Sequence, residues 1–154
     1  MRAGTNNKHV LPPTSALIDE ITTIVSTASA AILAIDISTL VKRIKPDRSP
    51  VIAADDASQS VILAGLSRLF PSIPIISEEV SGAGQIGGLG ATFFLVDPLD
   101  GTREFVAGRD EYTVNIALVN QGAPVFGCIG SPAFGLIWRC VLGQGAERLA
   151  MFHR

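Results

Sequence analysis

The chain has 154 residues, 12 Lys+Arg, 14 Asp+Glu and a formal net charge of −2. That length can build one domain around its own core, and a hydrophobic share of 47% excludes intrinsic disorder. The balanced charge, with no local Lys/Arg cluster, excludes a nucleic-acid footprint, and Cys128 and Cys140, the only cysteines, exclude a disulfide framework and a four-cysteine zinc site.

Residues 1–13 read as a loose polar leader broken by Pro12 and Pro13, without the apolar stretch of a secretory signal. A helix is expected from Thr14 or Ser15, either of which can cap it, to near Ile35. Leu17, Ile18, Ile21, Ile24, Val25, Ala28, Ile32 and Leu33 recur there at helical spacing, with Asp19 and Glu20 early enough to meet the helix dipole. The apolar run from Ala28 stops at Asp36, short of the roughly 18–20 residues of a membrane span, so none is expected. Val41–Ile44 reads as a short strand. Lys45–Pro50 reads as a turn whose two prolines bar helix. Val51, Ile52 and Ala53 then lead into a second helix over Asp56–Phe70.

Ile73–Ser77 is an apolar strand that stops at Glu78-Glu79. The glycine-rich stretch from Ser81 to Gly90 reads as a mobile loop. It contains the spacing of a dinucleotide-binding motif, Gly82 to Gly87, but no helix opens after it to cradle a pyrophosphate. Thr92–Val96 is a second buried strand, ending at Asp97. Strands follow over Tyr112–Val119, Val125–Ile129 and Leu136–Leu142, with a tight turn at Asn120-Gln121-Gly122. Helices come early and strands late. The expected class is therefore α+β, two helices packed on a largely antiparallel sheet, and not alternating βαβ units.

The chemistry gathers at two strand ends. Glu78 and Glu79 follow one strand. Asp97 and Asp100 follow the next, in Asp97-Pro98-Leu99-Asp100-Gly101-Thr102. If the strands are neighbours, the acids converge. Carboxylates held that close repel, so some stay protonated or a cation sits among them. Oxygen-only ligands suit Mg²⁺, and the Leu99 carbonyl can join them across the turn set by Pro98. Gly101 lets the main chain approach a ligand, and Thr102 adds a hydroxyl. The plainer alternative is turn chemistry, since Asp, Pro and Gly end many strands; acids at two successive strand ends, with Gly-Thr directly after, are far more specific.

These runs, Ile75-Ile76-Ser77-Glu78-Glu79 and Leu95 to Thr102, resemble the two signature motifs of the inositol monophosphatase superfamily. The extension Arg103-Glu104-Phe105 and the run Glu111 to Val119 are most similar to its 3′(2′),5′-bisphosphate nucleotidase branch, as are Asp47 to Val51 and Gly143 to Ala146. The resemblance spans about residues 15–150. It implies the N-terminal half of the layered sugar-phosphatase fold and a Mg²⁺-dependent, lithium-sensitive phosphatase with two or three ions in a complete site. Glu78, Asp97 and the Leu99 carbonyl would hold one ion, and Asp97 and Asp100 would share a second. Glu78 and Thr102 would activate water, with Asp55 supporting Thr102. Glu78, Leu99, Asp100, Gly101 and Thr102 would meet the substrate, a small phosphorylated nucleotide or sugar. Asp55 has a structural alternative as N-cap of the second helix, and one acid can do both. Glu79 is expected behind Glu78 or in solvent.

The resemblance also marks departures. Ile52-Ala53 replaces the family's Thr-Glu, while Ala54-Asp55 is retained. The family's further metal-binding Asp belongs to a second domain, and the acids after Asp110 are only Glu111 and Glu147. The expectation is a leader over 1–13, one metal-binding domain over 14–154, no second domain, and weak or absent turnover in isolation. A homodimer through the uncovered sheet is expected, in a reduced cytoplasmic setting that leaves peripheral membrane contact open. Inositol 1-phosphate hydrolysis, or metal and phosphate binding without turnover, are the competing readings. An aspartyl-phosphate mechanism fits poorly, because Pro98 stands where its nucleophile would. His9 and His153 lie in the terminal tails, and the cysteines in core strands, so a His-assisted nucleophile is not expected.

Overall fold

The computed structural model describes residues 14–36, 50–77 and 90–151. The leader, the strand expected at Val41–Ile44 and the glycine-rich loop up to its last residue, Gly90, lie outside the described residues. Among the described residues, three helices and six strands follow in the order α1 (Ser15–Leu33), α2 (Pro50–Leu69), β1 (Ile75–Ser77), β2 (Thr92–Asp100), α3 (Thr102–Val106), β3 (Thr113–Asn120), β4 (Ala123–Ser131), β5 (Leu136–Val141) and β6 (Gly145–Ala150).

The α1 boundary is set as expected: Thr14 is the N-cap, and its hydroxyl accepts from Leu17 N at 3.4 Å. Asp19 and Glu20 do not serve the dipole. They lie past the first turn, where Asp19 pairs with Arg139 at 2.6 Å and Glu20 with Arg68 at 3.3 Å. By length and a mean hydropathy of 1.5, α1 could cross a membrane, contrary to the reading of its apolar run as too short. Its apolar stripe is used otherwise: Ile21, Val25, Ala28 and Ile32 are wholly buried against the sheet and α2.

The second helix starts six residues before its expected first residue, Asp56, at Pro50. Proline does not bar this helix; its fixed φ and missing N–H suit a first helical position. Residues 51–53, expected to lead into the helix, are therefore part of it.

The sheet order is β1-β2-β3-β4-β5-β6, identical to chain order. Among the described strands only β1 and β2 run parallel; the other pairs are antiparallel. Gln121 (φ 52) and Gly122 (φ 79) form the two-residue turn between β3 and β4, the conformation that matches strand twist. The helices cover one sheet face, burying Phe94, Val96, Val114, Ile116, Leu118, Phe126, Cys128 and Ile137. Alternate residues Leu95, Ile129 and Trp138 point away and stay exposed, as period-2 strands require. Burial pushes the Cys128 thiol up to about 12, so it packs as a neutral group. Cys140 is exposed, and neither cysteine forms a disulfide.

Helix α1 lies tight against β4 at Gly130. A methyl there would sit 2.6 Å from Val25 Cγ1 and 2.9 Å from Ser29 Oγ. Val25 is β-branched and cannot swing aside. Gly130→Ala is expected to cost about 1–3 kcal/mol of stability in urea denaturation; an unchanged midpoint would show that α1 can lift off without cost.

Candidate active site

Ser77 of β1 pairs with Val96 of β2 in parallel register. The next residue in sequence is Glu78 on one and Asp97 on the other. The condition for convergence, that the two strands are neighbours, is therefore met, and the strands also run the same way. Glu78 and Glu79 themselves lie outside the described residues.

β2 does not stop at Asp97 as expected. It continues to Asp100 through a bulge. Asp97 pairs with Asn115 and Asp100 with Thr113, so three steps along β2 (97 to 100) oppose two along β3 (115 to 113). Pro98 explains the break, because it has no N–H to give the ladder. The Leu99 amide donates to Asp97 Oδ1 at 3.2 Å, folding the main chain over that acid. Pro98 and the Leu99 side chain are buried, Asp97 is half-buried and Asp100 is exposed. The bulge thus turns two acids toward solvent while anchoring the residues between them in the core. Asn115 reaches in from β3, its Nδ2 donating to Asp100 Oδ2 at 3.4 Å and to Thr113 Oγ1 at 3.1 Å.

Gly101 has φ 88 and ψ 37 and directly precedes α3, which Thr102 opens. Two constraints demand glycine there. The conformation is left-handed, and a Cβ would lie 2.6 Å from the Glu111 carbonyl oxygen. Phe105 in α3 then packs edge-on against Tyr112 at 5.2 Å, tying the helix to the start of β3.

Asp55 is not an N-cap. It lies inside α2, 6% exposed, and is engaged by a partner. One helical turn on, Ser58 is wholly buried and its hydroxyl donates to the Pro98 carbonyl at 2.7 Å. Its neighbour Gln59 accepts from the Ser77 hydroxyl at 2.6 Å. Asp55 is thus brought to the same flank as the bulge. Ser58 and Gln59 belong to no recognised motif, and Asn115 stands out only as part of the run Glu111 to Val119. Their signal was weaker: Ser58 and Gln59 are polar residues within one turn of Asp55 in a helix otherwise apolar on that side.

Among the described residues, no three His, Cys, Asp or Glu side chains gather closely enough to cage a metal. Asp97 and Asp100 are two of the expected ligands, and the third carboxylate, Glu78, falls outside that set. The pair offers oxygen donors alone, which fits a hard cation such as Mg²⁺. A cavity of about 340 Å³ lies elsewhere, beside Arg139. It is not a rival site, because Arg139 is already held by Asp19 and by Glu147, each at 2.6 Å.

Two helices on a mixed sheet, with acids around a bulged strand end and Gly-Thr opening a short helix, form an α+β half of the layered phosphatase fold. The superposition on CysQ from Bacteroides thetaiotaomicron, described as a bacterial member of the inositol monophosphatase family, has a TM-score of 0.73 at 31% identity, covering 89% of this chain and 50% of that one. The profile of the Inositol monophosphatase family matches residues 7–150, and the chain belongs to that family. It is 46% identical over 100 residues to the 3′(2′),5′-bisphosphate nucleotidase CysQ of Salmonella typhimurium, covering 65% of this chain and 41% of that protein. A histidinol-phosphatase of Mycobacterium tuberculosis is 36% identical over 102 residues, covering 66% of this chain and 38% of that protein. The chain spans about two fifths of the length of these relatives and half of the solved one.

Proposed function

We propose that this chain carries the metal- and phosphate-handling machinery of a Mg²⁺-dependent phosphomonoesterase that removes the 3′(2′)-phosphate of adenosine 3′,5′-bisphosphate. The observation that supports it best is the bulge, which fixes Asp97 and Asp100 beside the strand that leads to Glu78. Glu78, Asp97, Asp100 and the Leu99 carbonyl would hold Mg²⁺. When bound, the ion neutralises phosphate charge and makes water more acidic. Thr102 and Glu78 orient the attacking water, and Glu78 takes its proton. Asp55 steadies the Thr102 hydroxyl. The Gly101 and Thr102 amides hold phosphate oxygens, with no side chain at Gly101 to obstruct them. Water oxygen bonds to phosphorus, the P–O ester bond breaks, the ribose oxygen takes a proton from solvent, and inorganic phosphate and a nucleoside 5′-phosphate leave. No covalent phosphoenzyme forms, because the nucleophile is water.

The test is phosphate release by the purified chain. Slow turnover of adenosine 3′,5′-bisphosphate is expected, abolished by EDTA and faster than turnover of inositol 1-phosphate. A preference for the inositol ester would overturn the nucleotide assignment alone. Mg²⁺ binding with no release from either ester would leave the non-catalytic binding reading in its place.

A further inference from the structure

We propose that Ser58 and Gln59 are positioning residues that hold the two acid-bearing strand ends at a fixed spacing for a divalent cation, an inference that rests on the function proposed above. Adjacent residues of one helix reach two different strands. Ser58 Oγ donates to the carbonyl of Pro98, between Asp97 and Leu99, at 2.7 Å. Gln59 Oε1 accepts from Ser77, the residue before Glu78, at 2.6 Å. Both contacts fall on main chain or side chain immediately beside an expected ligand, and neither involves the ligand's own carboxylate. The link between them is a single peptide step in a regular helix, about 3.8 Å between Cα atoms, which does not stretch. α2 therefore works as a spacer between the β1 end and the β2 bulge.

Packing alone gives no reason for these residues. Ser58 is 0% exposed, and a buried hydroxyl costs free energy unless it is bonded. Alanine would fill the same helix–strand contact. What serine adds is a direction for the Pro98 carbonyl, at the point where the β2–β3 pairing skips a residue. Outer residues that orient ligands commonly change metal affinity about 10–100-fold when removed.

The probe is Mn²⁺, with free ion followed by electron paramagnetic resonance, in the full chain and in Ser58→Ala, Gln59→Ala and Gly65→Ala. The last is the control. It lies two turns along α2, where a methyl would press on Ile24 Cδ1 at 2.5 Å and loosen the helix pair away from the acids. Ser58→Ala and Gln59→Ala should weaken Mn²⁺ binding about tenfold, and Gly65→Ala should lower the melting temperature at unchanged affinity. Gln59 is half-buried, so its variant keeps the test decisive if Ser58→Ala does not fold. Ser58 and Gln59 variants that melt lower but bind Mn²⁺ like the parent would make both residues purely structural and overturn the inference. A parent chain that binds no Mn²⁺ would overturn the proposed metal site as well.

Discussion

Replacing Gly101 with alanine is expected to cost about 2–5 kcal/mol in urea denaturation. About 1–2 kcal/mol comes from forcing a side chain into the left-handed region. About 1–3 kcal/mol comes from overpacking. The conflict cannot be relieved by a rotamer change, because the nearest atom is the backbone oxygen of Glu111 at 2.6 Å, followed by Tyr112 Cα at 3.1 Å. Relief requires moving the segment before β3, which separates Tyr112 from Phe105 and tilts α3 away from the bulge. Phosphate binding should therefore weaken along with the fold. An alanine variant with the parental unfolding midpoint would mean that the 101–112 segment is not locked as described.

Asp97→Asn should show the opposite pattern. The amide oxygen can still accept from the Leu99 amide, so the bulge survives, and a half-buried polar exchange should cost no more than about 1 kcal/mol. The charge is lost, and with it the shared ligand of both expected ions. Mn²⁺ affinity should fall by at least about 100-fold, beyond the usual effect of an outer residue. The two variants together separate folding from binding: one unfolds the frame, the other empties it. Retained affinity in Asp97→Asn would remove Asp97 from the ligand set.

The sequence carried the class, the early helices, the hairpin and the acid-bearing strand ends, because each has a local cause: helical periodicity, alternation, a Gln-Gly turn, an abrupt acid after apolar residues. What it hid has non-local causes. β6, Gly145–Ala150, is mostly exposed and carries Glu147 and Arg148; its strand character comes from pairing with β5, not from its own pattern. A charged edge of this kind also discourages further strand addition. The five-residue α3 is too short for any period to register. Pro50 misled because proline is a helix breaker in the interior and a helix starter at the first turn, and composition does not distinguish the two. At the site, Asp55 shows the same limit. Its type and place in the motif were legible, but its burial within α2 depends on a helix boundary that only the three-dimensional structure supplies.

Strand order equal to chain order has a kinetic corollary. From β2 to β6 each strand meets its successor, through a short hairpin in three of the four steps, so that part of the sheet can zip up from near neighbours with little loop-closure entropy. β1 alone must dock in parallel beside a strand whose far edge is already occupied. Its docking sets Ser77, bonded to Gln59, opposite Val96, one residue before Asp97. A cation held as proposed would therefore depend on β1 being docked, and fraying of that edge would release it.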